Sequence, residues 1–300
     1  MRLLIIAAFT ICCISAAQDL DRRIHSEVDN FNGAVSLFAK NLNTGATFEI
    51  AGQRRVRTAS TIKLAVMAAA FTEVSRGHAA WTDRSTITEA GKISGSGVLM
   101  EFSEGVTLPL IDLLRLMIVV SDNTATNLVL DHIAPDVVNA EMQQLGLTQT
   151  RCLRKVLNNH DPAAVAVSGM SVEGKKPENK AFGLGVSTPR EMVTLMEKLY
   201  RGAVVSPRAS AEMLAILKRQ QHHSGIGRTL RETTIASKSG ALDHLRSDVA
   251  IVYAKGGPIA MAITCDDIPE VNYTDDNPGD LLISRLSLLL LKRLGGGVNQ

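Results

Sequence analysis

Aromatic residues are scarce in this sequence, and its positive and negative charges nearly cancel. Phe, Trp and Tyr together make up 4% of the 300 residues, and the formal net charge at pH 7 is +2. Proteins that bind nucleic acids rely on an excess of Lys and Arg and on aromatic side chains that stack with bases. We therefore expect no nucleic-acid partner.

Apolar runs long enough to cross a membrane are also missing. The N-terminal run from Leu3 to Ile14 is shorter than the roughly 20 residues that a spanning helix needs. It follows Arg2 and precedes small residues at 15–17, which is the pattern of a secretory signal peptide. We predict a signal peptide over residues 1–17, and a mature protein that is periplasmic or secreted, without stable membrane insertion.

Cysteine is rare as well. Outside the predicted signal peptide the chain has only Cys152 and Cys265. Exported proteins fold in an oxidising compartment, so the two could pair, but their sequence separation says nothing about the distance between their sulfurs. We expect two free, buried thiols.

Metal-binding motifs and the Ser–His–Asp context of a triad hydrolase are missing too. His222 and His223 are adjacent in a polar segment, but the chain contains no H-x-H-x-D or H-E-x-x-H pattern. A zinc site needs three or four ligands within reach of one another. We therefore expect neither a metal nor another cofactor, and we interpret the histidine pair as part of a solvated connection.

Against these absences, the stretch TASTIKLAVMAAAF at residues 58–71 is informative. Ser60 and Lys63 are three residues apart, which places them on one face of a predicted helix. The residues that follow have almost no polar face, as in a buried helix. An amine at the start of such a helix is costly unless the protein uses it.

Two further motifs are weak when each is taken alone. Ser121, Asp122 and Asn123 follow an apolar run, where such residues commonly cap a helix. Lys238 and Ser239 precede Gly240 in a segment rich in β-forming residues, and could be a strand end with a solvated lysine.

Taken together and in this order, the motifs match the set S-x-x-K, S-D-N and K-[ST]-G. The chain therefore resembles the class A β-lactamase family of penicillin-recognising serine hydrolases. The resemblance extends over nearly all of the predicted mature chain, residues 18–300. It includes the segment Gly95–Leu99 and the helix start at Thr188 and Pro189.

The resemblance implies a catalytic role for Ser60, Lys63, Ser121 and Lys238. Ser60 would be the nucleophile, activated by a neutral Lys63 or by another base acting through water. Burial and the charge of Lys238 would both lower the pKa of Lys63. Ser121 would relay a proton to the leaving nitrogen. The backbone N–H groups of Ser60 and Ala241 would stabilise the oxyanion.

The resemblance also implies a set of substrate-binding residues. Lys238 and Ser239 would hold the substrate carboxylate, and Asn123 would bind the substrate amide and Lys63. Arg246 would stand behind the carboxylate site, although a surface arginine is an equally good interpretation. The complete predicted substrate-binding set is Asn123, Ser239, Gly240, Ala241 and Arg246, with a β-lactam or a D-Ala-D-Ala-like peptide as the small-molecule partner.

One family residue is missing. Class A enzymes carry a loop glutamate in the pattern E-x-x-L-N, and this glutamate activates the water that hydrolyses the acyl-enzyme. Here Leu157 and Asn158 match the L-N pair, which makes Asn158 a candidate loop residue, and counting back without gaps puts Arg154 at the glutamate position. Arginine cannot act as this base because its pKa exceeds ~12. Arg154→Glu is therefore expected to raise turnover.

Three functions remain open from the sequence. In the first, the protein is a β-lactamase whose deacylating base lies elsewhere, with Asp161, Glu173 and Glu178 as candidates. Alternatively, it is a penicillin-binding, D-Ala-D-Ala peptidase-like enzyme that deacylates slowly, or a non-catalytic binder of the same fold. The complete set of two serines and two lysines argues against a binder, which needs no nucleophile.

Strands at both ends of the chain and helices between them predict an α/β fold. The resemblance implies an antiparallel five-stranded sheet flanked by helices, with an inserted all-α lobe. We assign residues 18–57 and 205–300 to the α/β lobe and residues 58–204 to the helical lobe, with Ser60 at their junction. We expect a monomer.

Overall fold

The computed structural model describes residues 17–157 and 169–295. Residues 1–16 of the predicted signal peptide, Asn158 and Asp161 lie outside these ranges. Within them, no helix has both the length and the apolar character that a membrane span requires.

The two ends of the chain form one five-stranded antiparallel sheet, as predicted. Its spatial order is β2-β1-β10-β9-β8, so β8 is an edge strand. Two-residue connections join β8 to β9 and β9 to β10, which gives tight antiparallel hairpins. The strands are β1 (Ala34–Asn41), β2 (Thr47–Ile50), β8 (Ile235–Leu242), β9 (Leu245–Ala254) and β10 (Gly257–Asp266).

Short strands form two small sheets in the middle of the chain. The strands β3 (Val56–Arg57), β7 (Gly185–Ser187) and β6 (Arg151–Cys152) pair in that order, and β4 (Arg84–Thr86) pairs with β5 (Thr107–Pro109). The first of these sheets links the segment before Ser60 to the loop that contains Arg154.

Helices pack on both faces of the main sheet. Several begin at a proline and are capped by the preceding polar side chain, such as Thr188, whose Oγ1 accepts a hydrogen bond from the backbone N–H of Glu191 at 3.1 Å. The helices are α1 (17–29), α2 (Lys63–Ser75), α3 (Leu110–Val119), α4 (Asn123–His132), α5 (Pro135–Gln144), α6 (Pro189–Tyr200), α7 (Pro207–Leu217) and α8 (Pro278–Arg293).

The sheet separates two apolar cores. Val249 and Ile251 of β9 join the larger core, which surrounds α2, whereas Ala250 and Val252 point to the smaller core beneath α1 and α8. Every residue from 63 to 72 of α2 is buried, as expected for a helix without a polar face. Lys63, the first residue of this helix, is therefore buried inside the protein.

The two cysteines are buried free thiols, so that expectation is confirmed. Burial raises the pKa of Cys152 to about 12 and also raises the pKa of Cys265. Thiols in such surroundings stay protonated and unreactive.

Arg246 lies on the face of the sheet that carries α8. Opposite residues of an antiparallel pair share a face, and Lys238 is opposite Val249, three residues after Arg246. Arg246 therefore points away from Lys238. Its guanidinium donates to Asp280 Oδ2 at 3.1 Å, to the carbonyl oxygens of Leu242 and Leu245 at 2.7 Å each, and to the Asn272 carbonyl.

We predict that Arg246→Ala mainly destabilises the fold. It would leave the largely enclosed Asp280 without its ionic partner, and the loss of a partner in a buried pair lowers the free energy of unfolding by up to about 3–5 kcal/mol. Urea denaturation measures this change. The control is Arg285→Ala, which removes the more exposed ion pair between Arg285 of α8 and Glu27 of α1 and should cost about 1 kcal/mol or less. Equal effects of the two variants would contradict the prediction.

Candidate active site

Ser60 lies in a tight turn at the junction of the sheet and α2. The α-helix begins at Lys63, and residues Ala59–Ile62 form a 3-10 turn, so the predicted helix over Ser60 is corrected there. Ala59 has a left-handed backbone, with φ of 46°. Thr58 holds the turn, because its carbonyl oxygen accepts hydrogen bonds from the backbone N–H of Thr61 at 3.1 Å and from its hydroxyl at 2.8 Å.

Gly240 allows β8 to pass directly beside this turn. A Cβ at this position would lie 2.8 Å from the Thr58 carbonyl oxygen and 2.9 Å from the Ser60 nitrogen. Contacts this short do not occur, so any larger residue would push the strand away. The glycine thus lets β8 pass close to the backbone of Ser60.

Lys63 brings the first and second motifs together. Its side chain is fully buried, and Nζ donates to the Ser121 carbonyl at 2.7 Å, to Ser121 Oγ at 3.2 Å and to Asn123 Oδ1 at 3.1 Å. Burial, followed by the charge of Lys238, holds the pKa of Lys63 well below its usual value, and Asp122 partly opposes this shift. A neutral amine that can accept a proton is therefore accessible.

Asp122 shapes the corner from which Ser121 and Asn123 project. Its Oδ1 accepts the backbone N–H of Ala125 at 2.8 Å, so the helix-cap interpretation of this residue is confirmed. Its Oδ2 accepts the N–H groups of Val98 and Leu99 at 2.6 and 2.8 Å. One carboxylate thereby starts α4 and fixes the segment that borders the site.

Asn123 is held from both sides. Its Nδ2 donates to the Ser94 carbonyl at 2.9 Å while its Oδ1 accepts from Lys63, and its backbone N–H donates to the Ser96 carbonyl at 2.9 Å. The amide orientation follows from these partners, since only oxygen can accept from the ammonium group.

Lys238 is fully buried in β8, so the alternative of a solvated lysine is wrong. Its Nζ donates to the Ser239 carbonyl at 2.7 Å. Burial lowers the pKa of Lys238 to about 7, and the charge of Asp248 opposes the shift. Asp248, on the other face of the sheet, is itself buried, and its pKa is raised to about 6.

Gln220 is a functional residue that the sequence did not reveal. Its Oε1 accepts from the backbone N–H of Ser239 at 3.1 Å and from the Ser239 hydroxyl at 2.8 Å, while its Nε2 donates to Ser237 Oγ at 2.7 Å. The buried side chain thus holds the free edge of β8. A lone glutamine after a helix carries no pattern that predicts such a contact.

In the loop that contains Arg154, the residue bound to the helix of the second motif is Val156. Asn127, one turn after Asn123 on α4, binds the backbone of Val156: Nδ2 donates to its carbonyl at 2.9 Å and Oδ1 accepts its N–H at 2.8 Å. The Arg154 guanidinium instead lies near Gly183 and donates to the Lys155 carbonyl at 3.2 Å. Val156, and not Arg154, is therefore the loop residue fixed one helical turn from the Lys63 contact.

Of the other candidate bases, Asp161 lies outside the described residues, and Glu173 and Glu178 have partners or surroundings away from the Lys63 cluster. Glu173 pairs with Lys176 at 2.8 Å, and Glu178 is exposed. Among the residues that the structure describes, no group of three or more His, Cys, Asp or Glu side chains is placed to hold a metal ion.

The structure therefore brings most of the predicted residues together around the junction of α2, α4 and β8. Arg246 is the exception, because it faces the opposite side of the sheet. Asn158 lies outside the described residues.

Comparisons with known proteins agree with this geometry. A structure of a β-lactamase from Sphaerobacter thermophilus DSM 20745 is 28% identical, covers 92% of this chain and 97% of its own, and superposes with a TM-score of 0.77. The structure of PBP-A is 25% identical, with 91% and 95% covered and a TM-score of 0.74. A PBP-A mutant in an acyl-enzyme complex with penicillin G is 26% identical, with 92% and 96% covered and a TM-score of 0.74.

No curated protein sequence matches the chain. The model of the Beta-lactamase enzyme family, however, matches residues 18–294. With the fold and the family motifs in place, the chain belongs to the β-lactamase enzyme family and is a serine hydrolase of the β-lactamase type.

Proposed function

We propose that this protein opens the ring of β-lactams and cleaves D-Ala-D-Ala-like peptides by forming an acyl-enzyme on Ser60, and that it hydrolyses this intermediate slowly. Its activity would then be closer to that of a penicillin-binding peptidase than to that of a fast β-lactamase. The observation that carries the proposal is the combination of a buried Lys63 bound to Ser121 with an apolar Val156 in the adjoining loop.

Acylation needs only groups that the junction supplies. Neutral Lys63 would take the proton of the Ser60 hydroxyl, and Ser60 Oγ would add to the substrate carbonyl. The backbone N–H groups of Ser60 and Ala241 would stabilise the oxyanion, where one donor is worth roughly 3–4 kcal/mol. Ser121, within hydrogen-bond distance of Lys63, would pass the proton to the leaving nitrogen as the C–N bond breaks.

Deacylation needs a base that can activate water against the ester on Ser60. The chain has no Asp or Glu between Glu141 and Asp161, and Val156 offers no proton acceptor. General base catalysis typically contributes 10²–10⁴-fold, so a water without a carboxylate partner would attack slowly. This shortage favours a long-lived acyl-enzyme.

A non-catalytic binder of the same fold is disfavoured by the cost of Lys63. An amine buried with a lowered pKa brings no benefit to recognition alone, whereas acyl transfer requires it. We also propose that the protein acts as an exported monomer after signal-peptide cleavage, in keeping with a substrate outside the cytoplasm.

The first test is covalent labelling by penicillin, followed by intact-mass measurement over time. We expect a lasting adduct, with the mass of the whole penicillin, on the native chain and none on Ser60→Ala. The control Ser103→Ala changes an exposed serine outside the site and should label normally. Labelling that persists in Ser60→Ala would refute the nucleophile, and rapid adduct loss with ring opening would refute slow deacylation.

The second test concerns the charge of Lys238. Lys63 acts when neutral, and a positive neighbour disfavours its protonation, so removing that neighbour raises the pKa of Lys63. We predict that Lys238→Met moves the acid limb of the acylation rate to higher pH, measured with a penicillin methyl ester so that carboxylate binding does not contribute. Lys238→Arg keeps the charge and is the control. A limb that stays in place or moves to lower pH would contradict the prediction.

The third test places a base in the loop. Val156→Glu should speed the loss of the penicillin adduct at least tenfold, toward the ~10²–10⁴-fold range of general base catalysis, because the backbone of residue 156 is held beside the site by Asn127. Val156→Gln controls for size and polarity, and Arg154→Glu should have little effect. Faster loss in Arg154→Glu but not in Val156→Glu would restore the ungapped alignment.

A further inference from the structure

Two side chains that were predicted to hold the substrate carboxylate are engaged elsewhere. The Arg246 guanidinium is bound on the far face of the sheet by Asp280 and by backbone carbonyls. The Ser239 hydroxyl donates to Gln220 Oε1 at 2.8 Å. A carboxylate only accepts hydrogen bonds, so it must find other donors beside Lys238.

The segment after α7 forms the wall between Ser121 and β8. Gln220 holds the β8 edge, and the backbone N–H of Gln221 donates to the Val119 carbonyl at 3.0 Å. His222 follows, with its Nε2 at 3.3 Å from the carbonyl oxygen of Val120, the residue before Ser121. The histidine ring therefore lies at the edge of the catalytic corner, and the residue remains exposed to solvent.

The charges around His222 are those of the active site. Partial burial lowers its pKa, and so do the charges of Lys238, Lys63 and His223, while the Val120 carbonyl opposes the shift. Since a carbonyl oxygen can only accept, Nε2 carries a proton, and Nδ1 of the neutral ring is an acceptor. Protonation turns Nδ1 into a second, charged donor.

We propose that His222 is a substrate-binding residue whose protonated Nδ1 donates to the substrate carboxylate, in the role that the sequence had suggested for Arg246. This inference rests on the proposed function and names how the same site would recognise an anionic substrate. The incoming carboxylate offsets the two lysine charges, so the ring takes up a proton as the substrate binds.

The test compares the second-order acylation rates of a penicillin and of its methyl ester. We expect His222→Ala to slow acylation by the free acid about ten- to a hundredfold, the range for a hydrogen bond to a charged group, and to change the ester rate less than about twofold. The control is Gln221→Ala, which shortens the exposed, uncharged side chain next to His222, keeps the backbone bond to Val119 and should leave both rates unchanged. Equal losses with acid and ester would overturn the inference.

The pH dependence of the acylation rates distinguishes the charge of the His222 ring from its shape. The ratio of acid to ester rates cancels the protonation of Lys63 that both reactions need. This ratio should rise in the native protein as the pH falls and His222 gains its proton, and rise less in His222→Gln, which keeps a donor for Val120 but stays neutral. Full recovery of the native ratio in His222→Gln would overturn a charged role. Lys238, Lys63 and His223 also face the ring, and all three remain in both proteins.

A measurement without acylation keeps this inference distinct from the proposed function. In Ser60→Ala, the NMR titration of the His222 ring should shift to a higher pKa on adding an N-acyl-D-Ala-D-Ala peptide, and shift less with the peptide's C-terminal amide. His222→Gln identifies the resonance. A shift without acylation of the native protein would support His222 while refuting the proposed function, and no difference between acid and amide would refute His222.

Discussion

The buried ammonium group of Lys63 is the constraint around which this site is built. An amine removed from water is unfavourable unless polar groups replace the lost hydration. Here the replacements are two oxygens of Ser121 and the side-chain oxygen of Asn123. The start of α2 and the corner between α3 and α4 are thereby fixed to each other, and the proposed acyl transfer would take place at that junction.

The corner at Ser121 has an unfavourable backbone conformation, and the hydrogen bonds of Asp122 offset its free-energy cost. Ser121 adopts φ of 57°, a left-handed conformation that is unfavourable for a residue with a Cβ and typically costs about 1–3 kcal/mol. Asp122 is 1% exposed and accepts three backbone N–H groups, which belong to the first turn of α4 and to residues 98–99. Of the three residues in this motif, the middle one is structural, and the outer two face Lys63.

Local patterns predicted the sheet from both chain ends, the buried helix and the three motifs, because each depends on a short stretch of sequence. The errors came from geometry that spacing does not encode. Arg246 has a suitable separation from Lys238, but the two-residue turn and the pairing register turn it to the other face. That Asn127 holds Val156, and not Arg154, against α4 is visible only in the structure. Gln220 binds Ser237 and Ser239 of β8, 17 and 19 residues further along the chain, and no local pattern predicts that contact.

Fast and slow deacylation are compatible with the same framework. The two buried lysines, the Ser121 corner and the close approach of β8 would serve the proposed attack of Ser60 and departure of nitrogen, and all of them are present whether or not the ester is later hydrolysed. Hydrolysis would depend on one further proton acceptor, and the loop held by Asn127 has the apolar Val156 at the position of that contact. This loop is tied to α4 by the Asn127 side chain and by the Lys155–Asp131 ion pair, so a substitution at position 156 leaves both ties and the junction in place. Family membership therefore fixes the acylating half of the reaction more firmly than the hydrolytic half.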